Sequence, residues 1–170
     1  MSIRSKKLAL TGILLSLALI IGVVENYIPP IIPYLPFIKI GLSNVVLLFA
    51  CITIGFFPTI TISLFKSILV PIFVGNPMMI AYSLSASLVS TTFSYLLLRT
   101  KKIGLPTIGI IGAITHNIIQ LCIAYLIMSD ILVFGFLPYL VLTGGIAGVL
   151  TGLITYLLIK YMPEKIFHQK

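Results

Sequence analysis

The chain has 170 residues, of which 59% are hydrophobic and only 8% charged, with a mean hydropathy of +1.23. Water-soluble domains carry about 25% charged residues, and a fold of this size cannot hide so much apolar surface from water. An ordinary soluble enzyme is excluded, and one polytopic membrane domain over residues 1–170 is expected.

The formal net charge is +8, from eleven Lys and Arg against three acids, Glu25, Asp130 and Glu164. On a soluble protein this balance points to nucleic acid. Nine of these bases instead fall in three clusters between apolar runs, the pattern that marks the cytoplasmic side of a membrane protein. No nucleic-acid partner is expected.

Taken in chain order, the first apolar run covers 8–24, after Arg4, Lys6 and Lys7. No small-x-small cleavage site follows it, so it reads as a retained helix. Further runs at about 40–57, 59–74, 78–98, 107–129 and 138–160 complete six spans, each near the roughly 20 residues that a bilayer core requires. Six spans with the N-terminus inside place Arg4/Lys6/Lys7, Arg99/Lys101/Lys102 and Lys160/Lys165/Lys170 on the cytoplasmic face, together with both termini. Fusing the second and third spans would put the middle cluster outside. An all-α bundle of six transmembrane helices follows, with a tight turn before Pro58.

Between the first two spans, residues 25–39 hold four of the ten prolines, with Tyr27, Tyr34 and Phe37 among aliphatics. Proline fixes φ and cannot continue a helix, so an ordered apolar lid over an outward-facing pocket is expected, with aromatic anchoring in the interface as the plainer alternative.

Strongly polar groups at membrane depth are costly, roughly 2.5–3.5 kcal/mol for a central Lys on insertion scales. They persist where they face a partner or a cavity. Lys66 sits midway along the third span and needs Glu25, backbone carbonyls or an anionic ligand. In the fifth span His116, Asn117 and Gln120 share one arc of the helix. With Asn44 near the outer end of the second span they form a polar wall, and with Glu25 and Lys39 at the rim they suggest a pocket for a small, partly anionic molecule.

Small residues let helices approach closely in lipid. Gly144, Gly148 and Gly152 in the last span, and Ser83, Ser87, Ser90 and Ser94 in the fourth, read as packing inside the bundle. Gly12 and Ser16 on the first span are open to a second membrane subunit. Cys51 and Cys122 lie in apolar runs with no CxxC spacing, so neither redox nor metal chemistry is expected. Walker A and HExxH motifs are missing. The three scattered acids supply no paired site for magnesium diphosphate. No catalytic residue, metal or cofactor is expected, and the chain is not read as an enzyme.

The segment Lys39-Ile40-Gly41-Leu42-Ser43-Asn44, preceded by Glu25 and Pro29, resembles the K-x-G-L-[AS]-N signature of the Gx transporter family, also labelled heptaprenyl diphosphate synthase component I. Gly112-Ala113-Ile114-Thr115-His116-Asn117-Ile118-Ile119-Gln120 resembles its second signature, G-A-x-x-H-N-x-x-Q. Lys66 stands where that family has an arginine. The family is similar to the substrate-binding S-components of energy-coupling factor transporters. That resemblance implies a six-helix bundle with its ligand near the outer face under the first loop, a membrane coupling subunit docking on the Gly12/Ser16 face, and two cytoplasmic ATPases. It also implies release by tipping of the whole bundle in a bacterial cell membrane. The other label implies a non-catalytic membrane subunit tied to prenyl-diphosphate or quinone synthesis, or to membrane electron transfer.

Overall fold

Six α-helices and one 3-10 helix make up the computed structural model, which describes residues 3–28 and 41–162. They are α1 (Ile3–Tyr27), α2 (Ser43–Thr53), α3 (Phe56–Phe73), α4 (Met79–Thr100), α5 (Leu105–Met128), the 3-10 turn Ile131–Phe136 and α6 (Leu137–Tyr161). The described residues contain no strand, as expected for a chain whose backbone polar groups must be satisfied within each segment in lipid. Lys39, Tyr34, Phe37 and most of the expected lid lie outside the described residues.

Local chemistry sets the helix ends. Lys101 and Ser129 adopt left-handed backbone at the ends of α4 and α5. Pro106 and Pro138 occupy the first turns of α5 and α6, where a missing N–H costs nothing. Asp130 accepts the N–H of Leu132 at 2.9 Å and starts the 3-10 turn.

Successive helices run antiparallel. Lys66 of α3 meets Ser43 of α2, Ser63 of α3 bonds Ser87 of α4 at 2.7 Å, and Ser90 of α4 meets His116 of α5. The start of α1, the α2–α3 turn, the end of α4 and the end of α6 therefore share one end of the bundle. Phe56 stacks on Tyr95 there at 4.8 Å, and Arg99 lies over the Tyr95 ring. This is the basic end, and charge bias reads it as cytoplasmic.

Among the described residues five helices are long and apolar enough to cross a membrane. The second is a correction to the expected 40–57 span. It is 11 residues, about 16 Å at 1.5 Å per residue, against a hydrocarbon core of roughly 30 Å. Two glycines bound it, Gly41 with φ +81° and Gly55 with φ +84°. Both conformations suit glycine and interrupt a hydropathy run that looks continuous. Every residue from Val45 to Ala50 is buried, and α1, α3, α4 and α6 surround the helix. A half-length helix is tolerated at membrane depth because protein, not lipid, covers its ends.

The outward faces are apolar: Leu8, Ile13, Ile20 and Val24 of α1 and Leu142, Ile146, Leu150 and Leu157 of α6 are exposed. That much contiguous apolar surface is lipid-facing surface, so the chain is a multi-pass membrane protein.

The glycines of α6 seat it against α5. A Cβ on Gly148 would lie 2.4 Å from the Ile110 Cα and 2.6 Å from the Gly109 carbonyl oxygen, both backbone atoms that cannot step aside. Gly148→Ala is expected to cost about 1–3 kcal/mol through overpacking, read as a lower midpoint in SDS unfolding of the purified protein. Gly145→Ala is the control, since a Cβ there meets nothing within 4 Å.

Candidate functional site: a polar cavity at the buried end of a half-helix

The short α2 creates the site. Its first N–H groups face the interior of the bundle, and Leu42 at the N-cap provides no side-chain acceptor. Glu25, in the last turn of α1, fills that place. Its carboxylate accepts the backbone N–H of Gly41, of Leu42 at 3.2 Å and of Ser43 at 3.5 Å, and approaches the Ser43 hydroxyl at 3.5 Å. A carboxylate at a helix N-terminus is favoured by both hydrogen bonding and the helix dipole.

Lys66 comes in from α3. Its Nζ donates to Ser43 Oγ and to Asn44 Oδ1, each at 3.0 Å. Glu25 and Lys66 are 4% and 6% exposed, so both charges are withdrawn from solvent, and the Ser43 hydroxyl links them. The carboxylate is largely engaged by backbone N–H groups. Among the described residues two neutral acceptors, Ser43 and Asn44, hold the three-donor ammonium.

One cavity lies against this network. Glu25, Asn44, Lys66, His116, Asn117 and Gln120 all line it, with Asn26, Ser43 and Ser83. With open solvent at the mouth left out its volume is about 80 Å³, which bounds any occupant to a few waters, an ion or a small molecule. His116 Nδ1 pairs with Ser90 Oγ at 3.2 Å. Asn117 Nδ2 donates to the Leu140 carbonyl at 3.1 Å, and a Cβ on Gly144 would sit 2.7 Å from that nitrogen. The glycine is thus what lets Asn117 reach α6.

The structure brings six of the seven residues expected to bind substrate to this cavity, and the seventh, Lys39, lies outside the described residues. Tyr27 does not line the cavity; it projects from the last turn of α1 with 83% exposure. Gly12 and Ser16 are exposed on α1. Ser16 bonds back to the Gly12 carbonyl at 3.0 Å, and a Cβ on Gly12 would meet nothing, so this strip is open.

Sequence reasoning missed the roles of Ser43 and Ser90. Ser43 stands inside the first signature and bridges the two buried charges. Ser90 belongs to the serine stripe read as packing, and it holds the imidazole. The signal was the stripe itself, because in-register serines facing a histidine-bearing helix are hydrogen-bond partners as well as small residues.

Residues 14–158 match the sequence model of the family described as heptaprenyl diphosphate synthase component I. The match covers most of the chain, and the chain belongs to this family. No curated protein and no solved structure gives a significant match.

Proposed function

We propose that this member of the heptaprenyl diphosphate synthase component I family is a ligand-binding membrane subunit, of the S-component kind, that captures a small anionic molecule for uptake. The observation that carries this reading is Lys66, a buried lysine at membrane depth, on the wall of a cavity shared with eight other polar side chains. Intramembrane ionisable groups facing a cavity mark ligand or ion pathways. The chain's part is binding and orientation. The Lys66 ammonium meets the anionic group, Asn44, Asn117 and Gln120 sort polar atoms around it, and the His116 imidazole, held by Ser90, closes the wall. Energy for uptake would come from a coupling subunit on the open Gly12/Ser16 strip and two partner ATPases.

The family description supports a second reading, in which the chain is the membrane component of a prenyl-diphosphate synthase and the anion is a diphosphate. The acids argue against catalysis by this chain itself. Of the three in the sequence, Glu25 is spent on the α2 N-terminus and Asp130 on the 3-10 turn, so neither pairs with another acid to hold a metal diphosphate.

Mild-detergent extraction of the tagged full chain from native membranes, with mass spectrometry of proteins and small molecules in the eluate, separates the two. A coupling subunit with ATPases and a co-eluting anion is the expected result. A prenyl synthase subunit in their place overturns the uptake reading.

A further inference from the structure

Among the described residues one buried side-chain polar atom lacks a hydrogen-bond partner, the Ser67 hydroxyl oxygen, and Ser67 is fully buried. A hydroxyl in a transmembrane helix has a ready acceptor in the carbonyl four residues earlier. Thr59 and Thr61 of the same helix both use it, at 2.7 and 3.1 Å. Ser67 does not. An unmet buried hydroxyl is costly, and each such group in a folded protein calls for a reason.

The facing helix supplies one. One turn toward the basic end, Ser63 bonds Ser87 of α4 at 2.7 Å. The two helices are antiparallel, so a step of four residues outward on each brings Ser67 opposite Ser83. The inner rung is made and the outer one is not. The site cavity enters at that level: Lys66, Val70 and Pro71 line it from α3, and Met79 and Ser83 from α4. The helices therefore touch at Ser63–Ser87 and part around the cavity above it.

The backbone of α3 is interrupted at the same level. Pro71 lies inside the helix and has no N–H to give the Ser67 carbonyl. Sharp bends in helices occur at such positions. The missing backbone bond and the open side-chain rung thus meet at one residue.

We propose that Ser67 and Ser83 are positioning residues for the occupant of the cavity: when it is filled, the outer ends of α3 and α4 close on it above the Ser63–Ser87 rung, and Ser67 gains Ser83 as its partner. The inference rests on the ligand-binding reading above and adds a way for the chain to hold what it captures. It gives Ser83 a role beyond packing. A bond made only in the filled form shifts the population toward that form.

The experiment uses the full chain in mild detergent, with Cys51→Ser and Cys122→Ser removing the native thiols. Ser67→Cys/Ser83→Cys and Ser63→Cys/Ser87→Cys are each oxidised with copper phenanthroline, and remaining thiols are counted by maleimide gel shift after denaturation. The probe is the pool of small molecules released from the wild-type eluate, added back to dialysed chain.

In dialysed chain the outer pair should oxidise more slowly than the inner pair. The pool should speed the outer pair about fivefold, the scale of one hydrogen bond, and leave the inner pair unchanged. Lys66→Met should remove that effect. Without the cysteine pairs, Ser67→Ala should keep the wild-type SDS unfolding midpoint, whereas Ser63→Ala lowers it by stranding Ser87. Ser67→Ala should nonetheless retain about threefold to tenfold less of the pool.

Equal rates for the two pairs in dialysed chain show a rung already closed and overturn the inference, whatever co-elutes. So does a Ser67→Ala midpoint as low as that of Ser63→Ala. A slow outer pair that the pool does not speed drops the closure and leaves the pocket standing. A pool effect that survives Lys66→Met keeps the closure and drops the anion. If the wild-type chain releases no small molecule, the ligand reading falls and takes this inference with it.

Discussion

Glu25→Ala is expected to lower stability by about 3–5 kcal/mol, the range for breaking a buried charge arrangement from one side. The loss has two parts. Three backbone N–H groups at the start of α2 lose their acceptor inside the bundle, where unmet donors are costly. Lys66 simultaneously becomes a buried cation with only neutral neighbours. SDS unfolding in mixed micelles measures the sum, and a double-mutant cycle with Lys66→Met separates the parts. Glu25→Ala/Lys66→Met should recover roughly 1–3 kcal/mol relative to Glu25→Ala, since the stranded charge is gone and only the uncapped helix remains. Glu25→Asp keeps the charge near Lys66 but is one methylene short of the α2 backbone, so it should fall between wild type and the alanine variant. If Glu25→Ala unfolds at the wild-type midpoint, the carboxylate is not what holds the half-helix.

This dependence explains which parts of the protein were legible in the sequence. The polar arc of α5 could be read directly, because His116, Asn117 and Gln120 are related by helical spacing alone and one helix carries all three. The packing of α6 was equally local, a four-residue glycine period facing Gly109 and Ala113 of α5. The length of α2 was not legible. Hydropathy runs unbroken from Ile40 to Phe57, and what ends the helix is backbone conformation at two glycines, which composition does not register. Nor could the partner of Lys66 be chosen among Glu25, carbonyls and ligand. The answer, Ser43 and Asn44 with Glu25 behind them, depends on an interhelical register spanning more than twenty residues of chain. Tyr27 shows the same limit: it sits two residues beyond Glu25, and the rotation of about 200° that two helical residues make carries it from the cavity side to the outer surface.

Lys66 itself decides whether the cavity binds an anion or merely houses a satisfied structural charge. Lys66→Met removes the ammonium while keeping an unbranched chain of similar length. The desolvation cost of a central lysine, roughly 2.5–3.5 kcal/mol on insertion scales, is removed with it. Against that stand the lost hydrogen bonds to Ser43 and Asn44, about 1–3 kcal/mol together. The two nearly offset, and the Glu25 carboxylate loses its buried counter-charge while keeping its backbone N–H donors, so the variant is expected to lose about 1–3 kcal/mol, less than Glu25→Ala. Binding should respond separately. A charge-assisted hydrogen bond to an anion contributes about 1.5–3 kcal/mol, roughly ten- to a hundredfold in Kd. The anionic species recovered with the wild-type chain should therefore fall at least tenfold in the Lys66→Met eluate, at equal protein yield. Lys66→Arg keeps the charge with a larger, planar head and should retain more of that species than Lys66→Met does. A purely structural lysine leaves the co-eluting molecule unchanged in the Lys66→Met eluate; that result would remove the anion from the reading and leave the cavity lined for a neutral ligand.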